Sequence, residues 1–179
     1  MIDVSYLVWG VWNNALGPNP IEVLTHATGE FGLNFLLLSL LITPLRRFLR
    51  WNFLIKVRRL LGLCSFFYIV LHFSIFIIFD HFFFWPSIVE DIIDRPYITV
   101  GVIAFLLMLP LALTSFNRMQ KKMGKRWFVL HRTVYIVAVL SVIHYWWLVK
   151  ADIMIPILYA LAVVLLLGVR FYFYYQKRN

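Results

Sequence analysis

Five apolar runs, each about as long as a hydrocarbon core is thick, constrain this 179-residue chain more than any other feature. They cover residues 21–43, 60–79, 97–116, 127–149 and 153–175. A helix rises about 1.5 Å per residue, so about 20 residues cross a core about 30 Å thick. In lipid such a run has to be helical, because a helix satisfies its own backbone groups. The sequence therefore predicts an all-α membrane protein, a bundle of five full transmembrane helices forming one domain over 1–179. A short apolar N-terminal segment, residues 4–16, is too short to span and stops at Gly17-Pro18-Asn19-Pro20, a strong break. The spans and their connections use nearly the whole chain, which leaves no room for a soluble nucleotide-binding or catalytic domain.

Composition agrees. Apolar residues make up 63% and charged residues 14%, against about half and about a quarter in soluble domains, which excludes a water-soluble enzyme. Intrinsic disorder needs low hydrophobicity and is excluded as well. The single cysteine, Cys64, lies in an apolar run, and no CxxCH motif for thioether-linked haem occurs. Asp3 near the start, with no early Lys or Arg, is unlike a cleavable signal peptide.

The net charge of +9 is explained by its placement. Residues 46–59 carry Arg46, Arg47, Arg50, Lys56, Arg58 and Arg59, and residues 117–126 carry Arg118, Lys121, Lys122, Lys125 and Arg126. Lys177 and Arg178 follow in the tail. Alternating helices bring all three regions to one side, the positive-inside pattern of a cytoplasmic face. Asp3, Glu22, Asp80, Glu90, Asp91, Asp94 and Asp152 fall on the other side. The basic excess reads as topology, and no nucleic-acid partner is expected; the partner of this surface is membrane lipid. Aromatic clusters at 82–85, 145–147 and 171–175 stand where interfacial belts belong.

Four of the five histidines fall in spans. Ionisable groups in a bilayer are costly and usually face the bundle interior or a functional site. Imidazoles from two facing helices are natural axial ligands for haem in a helical bundle. His72 and His144 share the outer half at similar depth and suit one iron. His26 is also outer, and is read as a ligand, a propionate contact or a bond to Glu30 one turn later. His131 is alone in the inner half. Thirteen residues at 100° each set it about 140° around an ideal helix from His144, so the two address one inter-helix space only if the helix is distorted. His81, in the outer loop, is assigned no role. Arg58, Arg59 and Arg132 are candidate contacts for propionates or another anionic group such as a phosphate, with positive-inside placement and snorkelling as the plainer readings. The last span carries no site in this reading, and no internal repeat stands out.

Several stretches together are familiar: Gly17-Pro18-Asn19-Pro20, Leu24-Thr25-His26-Ala27-Thr28-Gly29, Leu41-Ile42-Thr43-Pro44-Leu45-Arg46, Arg58-Arg59-Leu60-Leu61-Gly62-Leu63 and Leu71-His72. Arg95-Pro96-Tyr97, Leu113-Thr114-Ser115, Leu130-His131 and Ile143-His144-Tyr145 continue the order. In that order they resemble the MsrQ (YedZ) family, the haem-binding membrane subunit of the bacterial periplasmic protein-methionine-sulfoxide reductase system, within the ferric-reductase-like transmembrane superfamily. The resemblance runs over residues 5–175.

It implies a multi-pass protein of the bacterial inner membrane that carries haem b, one or two, with flavin mononucleotide also attributed to the family. Such a subunit passes electrons from the quinone pool or a cytoplasmic flavin reductase to a periplasmic molybdopterin-dependent methionine-sulfoxide reductase, for repair of oxidised periplasmic proteins. It is an electron-transfer subunit of an oxidoreductase system, not a catalytic subunit alone. The family's iron ligands fall on His72, His131 and His144. Members carry a further complete N-terminal helix, which here is shortened or cut by a late start, and Glu30 stands where a relative can carry a basic residue. Two other readings compete: a haem-free small transporter or assembly factor with structural histidines, and a free-standing ferric reductase or oxidase that borrows its flavin domain, since no GxGxxG occurs.

Overall fold

The computed structural model describes residues 9, 10, 13, 15, 17–149 and 153–176. Most of the short N-terminal apolar segment, Asp3, Asp152, Lys177 and Arg178 lie outside the described residues. Five helices are long and apolar enough to cross a membrane, and no strand occurs among the described residues.

Helix α1 spans Pro20–Leu49. It starts where the Gly-Pro-Asn-Pro break ends: the Asn19 side chain accepts from the Glu22 N–H at 3.3 Å, and Pro20 occupies the first turn, where its missing N–H costs nothing. At 30 residues α1 is about 45 Å long, well beyond the expected 21–43. Pro44 is accommodated inside it, and the helix stops only at Arg50, in a left-handed cap with φ 58°. Helix α2 spans Leu54–Ile75 and continues as one π-turn, Phe76–Asp80. The stretch 46–59 is thus mostly helical: Arg46 and Arg47 close α1, while Lys56, Arg58 and Arg59 open α2. The short connection between them makes an antiparallel pair.

A short helix α3, Trp85–Asp94, fills the acidic-end connection, and Arg95 alone joins it to α4, Pro96–Leu113. At the basic end α5, Asn117–Met123, precedes α6, Lys125–Leu130. A 3₁₀ turn, His131–Thr133, then leads into α7, Val134–Leu148, so the fourth span is distorted at His131. Helix α8 spans Met154–Gln176.

The core draws on α1, α4, α7 and α8, through Leu33, Leu36, Leu40, Met108, Val137, Ala138, Val142 and Val163. Without a hydrophobic drive inside lipid, close packing and hydrogen bonds hold such helices together. Helices α1 and α2 meet at small residues: Ser65 Oγ donates to the Gly32 carbonyl at 2.7 Å. A Cβ on Gly32 would lie 2.5 Å from Ile69 Cδ1 and 2.8 Å from its Cγ1, so the absent side chain makes room for Ile69 in its present position. Helix α8 is docked by Arg170, which donates to Tyr135 Oη at 2.5 Å and to the Leu40 carbonyl at 2.7 Å. The sequence assigns that helix no site, and Arg170 gives it a polar anchor to its neighbours, with its Nε buried without a hydrogen-bond partner.

Candidate functional site

A cavity of about 570 Å³ lies between α1, α2, α4 and α7, toward the acidic end, within the size range of cofactor pockets. His72 and His144 both line it, from α2 and α7. Their ring centroids are 6.1 Å apart, with the planes at 84°. A metal–imidazole bond of about 2.0–2.1 Å, plus about 1.1 Å from nitrogen to ring centre on each side, separates two centroids by about 6 Å across one metal. The observed spacing therefore matches two imidazoles clamping a single iron. Among the described residues no group of three or more His, Cys, Asp or Glu side chains could hold a metal. A bare zinc ion takes three or four protein ligands, whereas iron in a macrocycle needs only axial ones.

The surroundings of the two rings are alike. His72 Nδ1 lies 2.9 Å from the Thr25 carbonyl, and His144 Nδ1 lies 2.6 Å from the Tyr97 carbonyl. A carbonyl only accepts, so each Nδ1 carries the hydrogen and each Nε2 is left as the lone-pair nitrogen. In metal-bound histidines such a bond from the other ring nitrogen fixes the tautomer and raises ligand basicity. Each ring reaches its carbonyl over a glycine one turn further along the facing helix. A Cβ on Gly29 would stand 3.2 Å from His72 Nδ1, and one on Gly101 would stand 2.8 Å from His144 Nδ1.

Each histidine is 47 residues beyond its carbonyl partner, and both sets carry the same carbonyl, glycine and imidazole in register. The helix pairs α1–α2 and α4–α7 thus repeat one motif. The sequence shows no repeat because Thr25 pairs with Tyr97 in this correspondence: a backbone carbonyl serves whatever side chain it carries.

The other candidates divide. His26 also lines the cavity, and its Nε2 lies 3.9 Å from Glu22 Oε1, one turn earlier; the bond to Glu30 one turn later is not made. Glu30 instead accepts from Tyr145 Oη at 3.1 Å, linking α1 to α7 beside the cavity. His131 is not brought to the pair. It stacks on Trp127 at 3.9 Å between centroids, and its Nε2 lies 3.1 Å from Thr114 Oγ1. That hydroxyl also bonds the Pro110 carbonyl at 2.6 Å. Its one hydrogen goes to the carbonyl, so His131 Nε2–H donates to it, the opposite tautomer to that of the paired rings. Arg132 is exposed, while Arg59 donates to Asn117 Oδ1 at 2.5 Å. Trp146 and Trp147 are outward-facing, and Tyr145 alone of that aromatic cluster lines the cavity.

Sequence reasoning missed His81. Placed in a loop, it was given no role, yet its side chain is only 7% exposed and lines the same cavity. The π-turn and the left-handed φ angles of Phe82 and Phe83, 46° and 60°, turn the chain there. No periodicity signal covers such a turn.

A family model described as "Ferric reductase like transmembrane component" matches residues 28–142. The chain is 51% identical over 167 residues to a protein of Herminiimonas arsenicoxydans, covering 92% of this chain and 77% of the relative. It is 50% identical over 172 residues to one of Azospira oryzae, covering 95% and 74%. Against one of Rhodospirillum rubrum it is 51% identical over 176 residues, covering 94% and 85%. All three are named protein-methionine-sulfoxide reductase heme-binding subunit MsrQ. No solved structure matches the chain. Sequence likeness over nearly its full length and a bundle of five apolar helices together place the chain in the MsrQ family of ferric-reductase-like transmembrane proteins.

Proposed function

We propose that this chain is the haem b-containing electron-transfer subunit of a bacterial inner-membrane system, with His72 and His144 as the axial ligands of one low-spin haem. The observation that carries the reading is the facing pair of imidazoles, 6.1 Å apart, each locked by a backbone carbonyl into the tautomer that leaves Nε2 for iron. The haem supplies one-electron storage. The chain's carbonyls hold both rings in place, and Leu33, Leu36, Ile69, Phe73 and Phe105 would supply the apolar contacts of the macrocycle. The relatives' names extend the reading to methionine-sulfoxide repair. Electrons enter from the quinone pool or a cytoplasmic flavin reductase and leave to a periplasmic molybdopterin-dependent reductase.

The proposal uses one haem. His131 is the residue that would hold a second haem toward the basic end; His26 stands at the cavity wall as a contact. No residues are assigned to flavin mononucleotide. In a haem-free transporter the two Nδ1–carbonyl bonds would serve only as helix cross-links, which leaves the 6.1 Å approach of the two rings across the cavity without a purpose. Detergent-purified protein from haem-sufficient cells should show a Soret band and split visible bands on dithionite reduction. A colourless preparation overturns the proposal.

A further inference from the structure

His81 is built differently from the two proposed ligands. Its Nε2 faces Asp91 Oδ2 at 3.4 Å, and its Nδ1 lies 3.0 Å from Ser87 Oγ. The ring packs edge-on against Phe76, with centroids 4.5 Å apart. Asp91 is braced in turn by Arg95 Nε at 3.2 Å. A carbonyl beside His72 or His144 permits one tautomer only. A hydroxyl beside His81 permits two charge states, because Ser87 donates to a neutral Nδ1 and accepts from a protonated one. Nδ1 of this shielded imidazole therefore keeps its hydrogen bond in both forms, and the Asp91 carboxylate, 3.4 Å from Nε2, is the counter-charge to the protonated form. Proton binding here requires only that one hydroxyl rotate.

We propose that His81 is a proton-accepting site coupled to the redox centre of the shared cavity. This rests on the haem reading above. One electron entering the haem adds a negative charge to the cavity, and His81 takes one proton from the water at the acidic end, so net charge is unchanged. The other titratable or charged groups lining the cavity are Asp80 from the π-turn, Asp91 and Arg95 from α3 and its end, His26 and Glu30 from α1, His72 from α2, Tyr97 from α4, and His144 and Tyr145 from α7, with Glu22 beside His26. Of these, His26 is the rival proton acceptor: it has Glu22 beside it, at 3.9 Å, in a more exposed setting.

The test is a potentiometric titration of the purified haem protein with mediators, followed in the visible bands from pH 5 to 9. In the wild type the midpoint falls as pH rises, by up to about 59 mV per unit for one proton per electron. His81→Gln keeps a hydrogen-bonding side chain and removes the titration, so its low-spin spectrum persists while the slope collapses. Asp91→Asn keeps the imidazole and moves the sloping region to lower pH. His26→Gln leaves the slope in place. A pH-independent wild-type midpoint, or a slope that survives His81→Gln, overturns the inference while the haem reading stands; loss of that surviving slope in His26→Gln would move the proton site to His26. Wild-type protein without haem overturns both.

Discussion

Replacing Gly101 by alanine tests the site with a single methyl group. Its Cβ would stand 2.8 Å from His144 Nδ1 and 2.9 Å from Cε1, where ordinary contact begins at 3.4 Å. The imidazole has to retreat by about 0.6 Å from a helix it touches directly. That retreat stretches the 2.6 Å bond to the Tyr97 carbonyl and moves Nε2 out of line with its counterpart on His72. Losing the hydrogen-bond partner of a metal-bound histidine costs the site about 10–100-fold in affinity, equivalent to about 1.4–2.7 kcal/mol. Gly29→Ala makes the same change on the other side, but its contacts of 3.2 and 3.3 Å ask for only about 0.2 Å, so we expect a loss of at most a few-fold. Gly168, where an added Cβ meets nothing within 4 Å, is the control. The assay is haem titration into apo-protein in detergent, read at the Soret band, with helicity checked by circular dichroism. Wild-type affinity in Gly101→Ala, or a greater loss in Gly29→Ala than in Gly101→Ala, would falsify the argument that these glycines seat the imidazoles.

Three further outcomes are expected. His72→Ala and His144→Ala each abolish the low-spin signal, whereas His131→Ala keeps it, because His131 sits on Trp127 and Thr114 outside the cavity; haem per protein and reduced spectra of the three variants decide this. Gly32→Ala drives a methyl to 2.5 Å from Ile69 Cδ1 and destabilises the α1–α2 pair by about 1–3 kcal/mol, seen as a lower thermal midpoint in detergent. Arg170→Leu removes the bonds to Tyr135 and the Leu40 carbonyl; α8 then loosens and its hydrogen exchange quickens, while the Soret band, formed in the cavity near the other end, is unchanged.

The number of spans and the acidic and basic ends were legible in the sequence because bilayer thickness and charge placement act on runs of residues, which a chain displays directly. So was the shared depth of His72 and His144, since depth along a helix follows from counting at about 1.5 Å per residue, whereas the approach of their rings to 6.1 Å is seen only in the structure. Span limits were not: α1 runs past residue 43 through Pro44 to Leu49, because helical hydrogen bonding continues beyond the apolar stretch. What only the tertiary structure decided concerns groups that no side-chain pattern encodes. Backbone carbonyls of Thr25 and Tyr97 select the tautomers of His72 and His144, and the missing Cβ atoms of Gly29 and Gly101 make the space. His81 reaches the cavity only because a π-turn and two left-handed residues redirect the chain. Apolar periodicity reports which residues avoid water. It carries no record of which carbonyl an imidazole meets across a helix interface, and that contact sets the chemistry of each ring.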